Sequence, residues 1–210
     1  MTSPEVRRRR VRAMAPDDRR AALIAATVPL LCEFGLDVST RQIAQAAGVA
    51  EGTIFGVFPD KGSLVVAALL RALEPQPTLD AIAAIDPAAG LRERLIRAAT
   101  LISERFASNT HLLAGARKLL FDSDTHPDAA ARMAAGRERL HAGLTALIEP
   151  DAALLRRSPG TAAGLLLLFC GANSFGPFGD PSFNADEIVS LLLDGLLVSS
   201  RIDHGGSDRC

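Results

Sequence analysis

The sequence predicts an all-α fold, and three observations carry that reading. Apolar residues recur at three- and four-residue intervals along nearly the whole chain, the period of a helix with one buried face. No stretch alternates apolar and polar residues convincingly, and no Asn-Gly hairpin signal occurs. Proline or glycine stands where the helical periodicity stops, at Asp86-Pro87, His126-Pro127, Glu149-Pro150, Ser158-Pro159 and Gly176-Pro177. With 210 residues, 48% of them hydrophobic, the chain can bury a substantial core, which excludes whole-chain disorder and low complexity.

Taken in order, Asp17-Asp18 gives an acidic start to a first helix that runs to Phe34, with Gly35 as its stop. Pro29 inside that pattern predicts a kink or local break. Short helices are expected over 40–47 and 51–58, then one over 60–74 ended by Pro75 and Pro77. Longer helices are predicted over 90–107, 109–121, 128–148, 160–175 and 185–200. In the first of these, Leu91, Leu95, Ala98, Ile102 and Phe106 share one face. Between the last two, 171–184 places Phe175, Phe178 and Phe183 among glycines and prolines, and reads as a lid or as a loop over a dimer seam. The Gly- and charge-rich residues 204–210 are expected to fray.

Charge excludes a chain that is polycationic throughout: 23 Lys and Arg face 24 Asp and Glu, net −1. Any nucleic-acid binding must come from a local basic surface. Aromatic content is 4%, all of it Phe, which argues against a face built on many aromatic anchors. Cys32, Cys170 and Cys210 match neither a disulfide framework nor a metal ligand set, and the first two read as small buried hydrophobes. The longest apolar run, 162–172, is shorter than the roughly 20 residues that span a bilayer. The Arg-rich start lacks the apolar stretch of a secretion signal, so a soluble cytoplasmic protein is expected, with no membrane partner.

The most informative stretch is 39–58. Ser39 can cap a helix, with Gln42 three residues on to complete a capping box. Ile43, Ala44 and Ala47 make a narrow apolar stripe, and Gly48 stands where a helix often ends left-handed. Val49 can plug the turn, while Ile54 and Phe58 lie four apart on the next helix. Two short helices joined by a tight glycine turn make a helix-turn-helix, whose second helix enters the DNA major groove. Thr40 and Thr53 near helix starts, and Lys61 as a point charge, can donate to phosphate oxygens. Arg41 can fork onto guanine, and Gln42 or Gln45 can reach adenine.

Residues 39–64 resemble the DNA-binding signature of the tetracycline-repressor (TetR) family of bacterial regulators. Thr40, Ile43, Ala44, Ala47, Gly48, Val49, Gly52, Thr53, Ile54, Phe58, Lys61 and Leu64 carry the resemblance. It implies an N-terminal three-helix helix-turn-helix domain over 17–62. A larger C-terminal helical ligand-binding and dimerisation domain follows over 63–203, flanked by an arm (1–16) and a tail (204–210). It also makes Arg41 and Thr53 the best candidates for base-edge contact, with Glu51, Gly52 and Phe55 in the same DNA-facing set.

The departures matter. Family members usually carry Tyr where this chain has Phe55, and often Tyr or His where it has Val57, and neither residue here can donate to a phosphate. Gly56 weakens a helix interior, Ala50 replaces a Ser or Thr cap, and Glu51 suits the helix dipole but repels phosphate. The basic arm, with Arg9, Arg10 and Arg12 at its centre, can compensate by entering the minor groove or following phosphates; a solvated charge run is the alternative. Residues 1–61 carry nine Lys and Arg against seven Asp and Glu, and the remainder fourteen against seventeen.

For the C-terminal part the resemblance implies a pocket and a two-fold interface. Phe106, Leu113, Phe121, Met133, Leu140, Phe169 and Asn173 are the pocket candidates, with His141 as a further polar group; ordinary core packing is the alternative for each. Leu165, Leu168, Ile188, Leu192 and Leu196 are the interface candidates, on helices too apolar for one chain to bury. No nucleophile elbow, phosphate loop or His-Glu-x-x-His helix occurs, so no catalytic residue, cofactor or metal is assigned. Asp122, Asp124 and His126 read as a polar loop rather than a metal site. The expected function is a homodimeric repressor that leaves a double-stranded operator when a small apolar effector binds. The alternative is a small-molecule or partner-binding protein of the same fold with weak or no operator binding.

Overall fold

The structure, a computed structural model, describes residues 15–121, 127–175, 180 and 183–195. Nine α-helices are found among them: α1 (Pro16–Phe34), α2 (Thr40–Ala47), α3 (Gly52–Phe55), α4 (Lys61–Ala72), α5 (Gln76–Ala83), α6 (Leu91–Phe121), α7 (Pro127–Ile148), α8 (Pro159–Phe175) and α9 (Ala185–Asp194). No strand occurs among the described residues, so the fold is all-α. None of the helices is long and apolar enough to cross a membrane.

The chain divides into two compact units. Of the described residues, the first holds those within 15–74 and 111–136, the second those within 75–110 and 137–195. In the first, α1 packs on α2 and α4, and Leu23, Leu31, Ile43, Ile54, Phe58 and Leu64 are wholly or almost wholly buried. Leu23, Thr27 and Leu31 recur four apart on α1, so one stripe enters the core. Cys32 lies one residue round from that stripe and is exposed, which corrects its reading as a buried hydrophobe. The helix continues through Pro29 rather than breaking there, and the buried Thr27 hydroxyl donates to the Leu23 carbonyl at 2.7 Å.

The second unit is centred on Leu95, Ile102, Leu144, Ile148, Leu166 and Ile188. Glycines set its closest approaches. A Cβ on Gly143 would come within 2.7 Å of Leu79 Cδ2, and one on Gly171 within 3.5 Å of the Phe106 ring. Cys170 is buried here as expected, and burial pushes its thiol pKa up. Arg94 is a buried cation: its guanidinium donates to the Leu147 carbonyl at 3.0 Å and to the Asp151 carboxylate. Arg92 forks onto both Asp194 oxygens at 2.7 Å, joining the start of α6 to the end of α9.

Helix boundaries differ from expectation at several points. α4 ends at Ala72, before Pro75 and Pro77 as expected, but Pro77 also sits in the first turn of a further helix, α5, where its missing N–H is one that a helix leaves unpaired anyway. The predicted helices over 90–107 and 109–121 are one 31-residue helix. The Asn109 amide and Thr110 hydroxyl donate to the carbonyls of Arg105 and Phe106, four residues back, instead of capping a new start. The described part of the helix expected over 185–200 ends at Asp194, and Gly195 follows at φ 77°.

Candidate nucleic-acid interface

Local chemistry fixes α2. Ser39 is extended at φ −90°, ψ 153°, and its hydroxyl accepts from the Gln42 N–H at 3.2 Å. The Gln42 side-chain oxygen accepts from the Ser39 N–H at 2.8 Å, so the capping box is complete and Gln42 is committed to it. At the other end Gly48 is left-handed at φ 65°, and Val49 N–H donates to the Ala44 carbonyl at 3.0 Å. Ile43 and Ala44 face the core and leave Arg41 and Gln45 exposed.

The second helix is shorter than expected: α3 is four residues, with turn bonds from Val57 and Phe58 back to Ile54 at 3.0 and 2.8 Å. No side chain caps its start, because Ala50 has no acceptor and the Glu51 carboxylate goes elsewhere. It accepts a hydrogen bond from the Thr40 hydroxyl, tying the start of α3 to the start of α2. Ile54 is buried; Thr53 is half-buried, Gly52 is exposed, and Phe55 is 54% exposed.

Lys61 begins α4, and its ammonium donates to the Leu36 carbonyl at 3.1 Å. Asp60 caps the same helix by accepting from Ser63 N–H at 2.7 Å. The Arg20 guanidinium lies over the Phe58 ring, 4.3 Å from its centroid. Neither that stacking nor the Thr40–Glu51 bond was legible from spacing, since both join residues on different elements. Arg9, Arg10 and Arg12 lie outside the described residues.

Met133 packs against the first unit's core, whereas Phe106 and Phe169 pack against the second's. Leu140 is buried, and the side chains of Leu113 and Phe121 lie outside the description. Asn173, chosen as a polar group to orient a ligand, is instead a clip within its own chain. Its amide donates to the Phe183 carbonyl at 2.9 Å and its oxygen accepts from Asp180 N–H at 3.0 Å. His141, the other polar candidate, is likewise engaged, Nε2 donating to the Gly160 carbonyl at 2.8 Å.

Of the interface candidates, Leu165 and Leu168 on α8 are 37% and 61% exposed, and Leu192 is partly buried. Ile188 is wholly buried in the chain's own core, in contrast to the exposed position expected of an interface residue. Leu196 lies outside the described residues. A groove of about 500 Å³ is lined by leucines, among them Leu165, Leu192 and the 74% exposed Leu154, together with the charged Arg156, Arg157 and Asp194.

Comparison with known proteins fits this geometry. A family model described as bacterial regulatory proteins, tetR family, matches residues 23–68. A bacterial regulatory protein in the tetR family from Rhodococcus RHA1 is 24% identical, with 84% of this chain and 96% of that one aligned at a TM-score of 0.59. The fatty acid degradation regulator FadR from Bacillus halodurans is 20% identical over 88% of this chain and 98% of its own, TM-score 0.62. Salmonella enterica GusR is 19% identical over 87% and 97%, TM-score 0.61. At such identities the likeness shows the fold. The family model thus lies on the helix-turn-helix, and over most of its length the chain has the fold of TetR-family regulators.

Proposed function

We propose that the protein is a homodimeric DNA-binding transcriptional repressor that a small apolar effector releases from its operator. The observation that carries the reading is the exposure of Arg41 and Gln45 on α2, in a helix-turn-helix held by a complete capping box and a left-handed Gly48. Rigid short helices that present a guanidinium and an amide suit guanine and adenine edges in a major groove. Thr53 and Lys61 add phosphate donors, and the Arg-rich arm adds sequence-independent attraction. Such a protein works in the cytoplasm, where the DNA is, and the reading assigns it no catalysis.

Dimerisation is supported by the exposed leucines of α8, since a contiguous apolar surface beside a groove marks an interaction face. Two copies would present paired half-sites. An effector among the helices of the second unit would act by favouring a different spacing of the two recognition helices, a coupling of about 1–3 kcal/mol.

Titration of duplexes selected from a random pool, at several salt concentrations, tests this. Nanomolar, sequence-selective binding that weakens steeply with salt supports it. Weak, nonselective binding by a protein that light scattering reports as monomeric would replace it with a fold-sharing protein that binds a small molecule or partner. Phe55, donor-free and exposed, is the observation that favours this second reading.

A further inference from the structure

We propose that Glu51 is a built-in competitor for a DNA phosphate at Thr40, so that the helix-turn-helix is held below the affinity its donors allow. The inference rests on the DNA-binding reading and concerns one hydrogen atom. Thr40 is the first residue of α2, where its hydroxyl and the positive end of the helix would meet a phosphate oxygen. A hydroxyl has a single proton to donate, and here it is given to the Glu51 carboxylate, across eleven positions of chain.

Glu51 does not serve its own helix. Its backbone is already helical, at φ −55° and ψ −40°, and its side chain makes no cap bond on α3. Its charge therefore lies at the start of α2. Glu51 is exposed, so water can solvate the carboxylate once it is displaced, and the exchange is reversible. Binding at Thr40 then requires a phosphate to displace one anion and remain near it. The cost is independent of base sequence, because every phosphate meets it alike.

Glu51→Gln removes the charge and keeps the size. Filter binding to a pool of mixed-sequence duplexes at low and moderate salt should show roughly three- to tenfold tighter binding, the scale of one screened like-charge contact. The salt dependence should steepen as well, because the DNA-facing surface carries one negative charge fewer. In a Thr40→Val background, with folding checked by circular dichroism, the gain should shrink.

Unchanged or weaker binding by Glu51→Gln overturns the proposal. A loss confined to sites with one particular base pair also overturns it, and makes Glu51 a base reader. An equal gain with and without the Thr40 hydroxyl reduces Glu51 to distant repulsion and overturns the competition. If neither wild type nor variant binds any duplex, the DNA-binding reading falls first and takes this inference with it.

Discussion

Arg94 is 4% exposed on α6; it bonds the Leu147 carbonyl and the Asp151 carboxylate, while its Nε meets no partner. Asp151, in the turn after α7, keeps 24% of its side chain exposed. Two substitutions separate what this pair contributes. Arg94→Met loses the bond to the Leu147 carbonyl, about 1.5–3 kcal/mol for a charged donor. It also loses an ion pair whose carboxylate can return to water, worth about 1 kcal/mol or less. Against that, it no longer buries a guanidinium with an unsatisfied Nε, which returns about 1–3 kcal/mol. The net cost is about 1 kcal/mol.

Asp151→Asn leaves the cation buried without its counter-charge. Breaking a fully buried pair costs about 3–5 kcal/mol, and the surviving carbonyl bond puts this case near the lower end, about 3 kcal/mol. Losing the more exposed partner should therefore hurt more than losing the buried one. Urea unfolding followed by circular dichroism at one fixed protein concentration measures both, since the chain has no Trp or Tyr for fluorescence. If Arg94→Met costs as much as Asp151→Asn, the guanidinium is not the strained member and the accounting is refuted.

Gly48→Ala should cost about 1–2 kcal/mol because φ is 65°, whereas Gly56→Ala, at φ −78° and with room for a Cβ, should gain about 0.5–1 kcal/mol; thermal melts compare them. A thiol reagent at neutral pH should label Cys32 in the folded protein and Cys170 only after unfolding, read by peptide mass spectrometry. Because burial raises the Cys170 pKa, the unfolded chain ionises first; its contribution to stability is intact below the ordinary thiol pKa and lost as pH rises towards the folded value. Cys170→Ala should flatten that part of an alkaline stability profile. Arg41→Ala should relax sequence selectivity by about 1–3 kcal/mol, while Lys61→Ala should weaken all duplexes alike in binding titrations. Lys61→Ala should also cost about 1 kcal/mol of stability without DNA, because its ammonium holds the Leu36 carbonyl.

What was legible in the sequence was local. The Ser39–Gln42 box and the left-handed Gly48 depend on residues three or four apart, so their chemistry can be read from spacing. Asn109 and Thr110 misled because the same side chains that cap a helix can bond back within one, and only tertiary packing decides. The burial of Ile188 and the internal bonds of Asn173 escape sequence reading for a related reason. An apolar helix with several similar faces does not say which one its own chain will cover, and an amide does not announce a loop carbonyl ten residues away. The exposed Leu154 was missed although it sits beside the exposed Arg156-Arg157 pair, because apolar residues next to charged ones are commonplace on a surface.

The donors that sequence spacing offers to DNA are not equal once their internal partners are known. The Gln42 side-chain oxygen is bonded to Ser39 and the one Thr40 proton to Glu51, so each would trade a protein bond for a DNA bond and gain little net, whereas the Lys61 ammonium keeps two N–H donors beyond the one on the Leu36 carbonyl. Arg41 and Gln45 are exposed at the protein surface and would trade only water. Sequence discrimination should therefore concentrate on α2, where those two residues sit, rather than on the four-residue α3. Phe55 fits the same division: it has no donor for a phosphate, but its exposed ring can lie against a thymine methyl, a contact that exchanges no hydrogen bond. A recognition surface of this kind would lean on few base contacts and take most of its affinity from charge. Its selectivity should then fall sharply when Arg41 alone is removed.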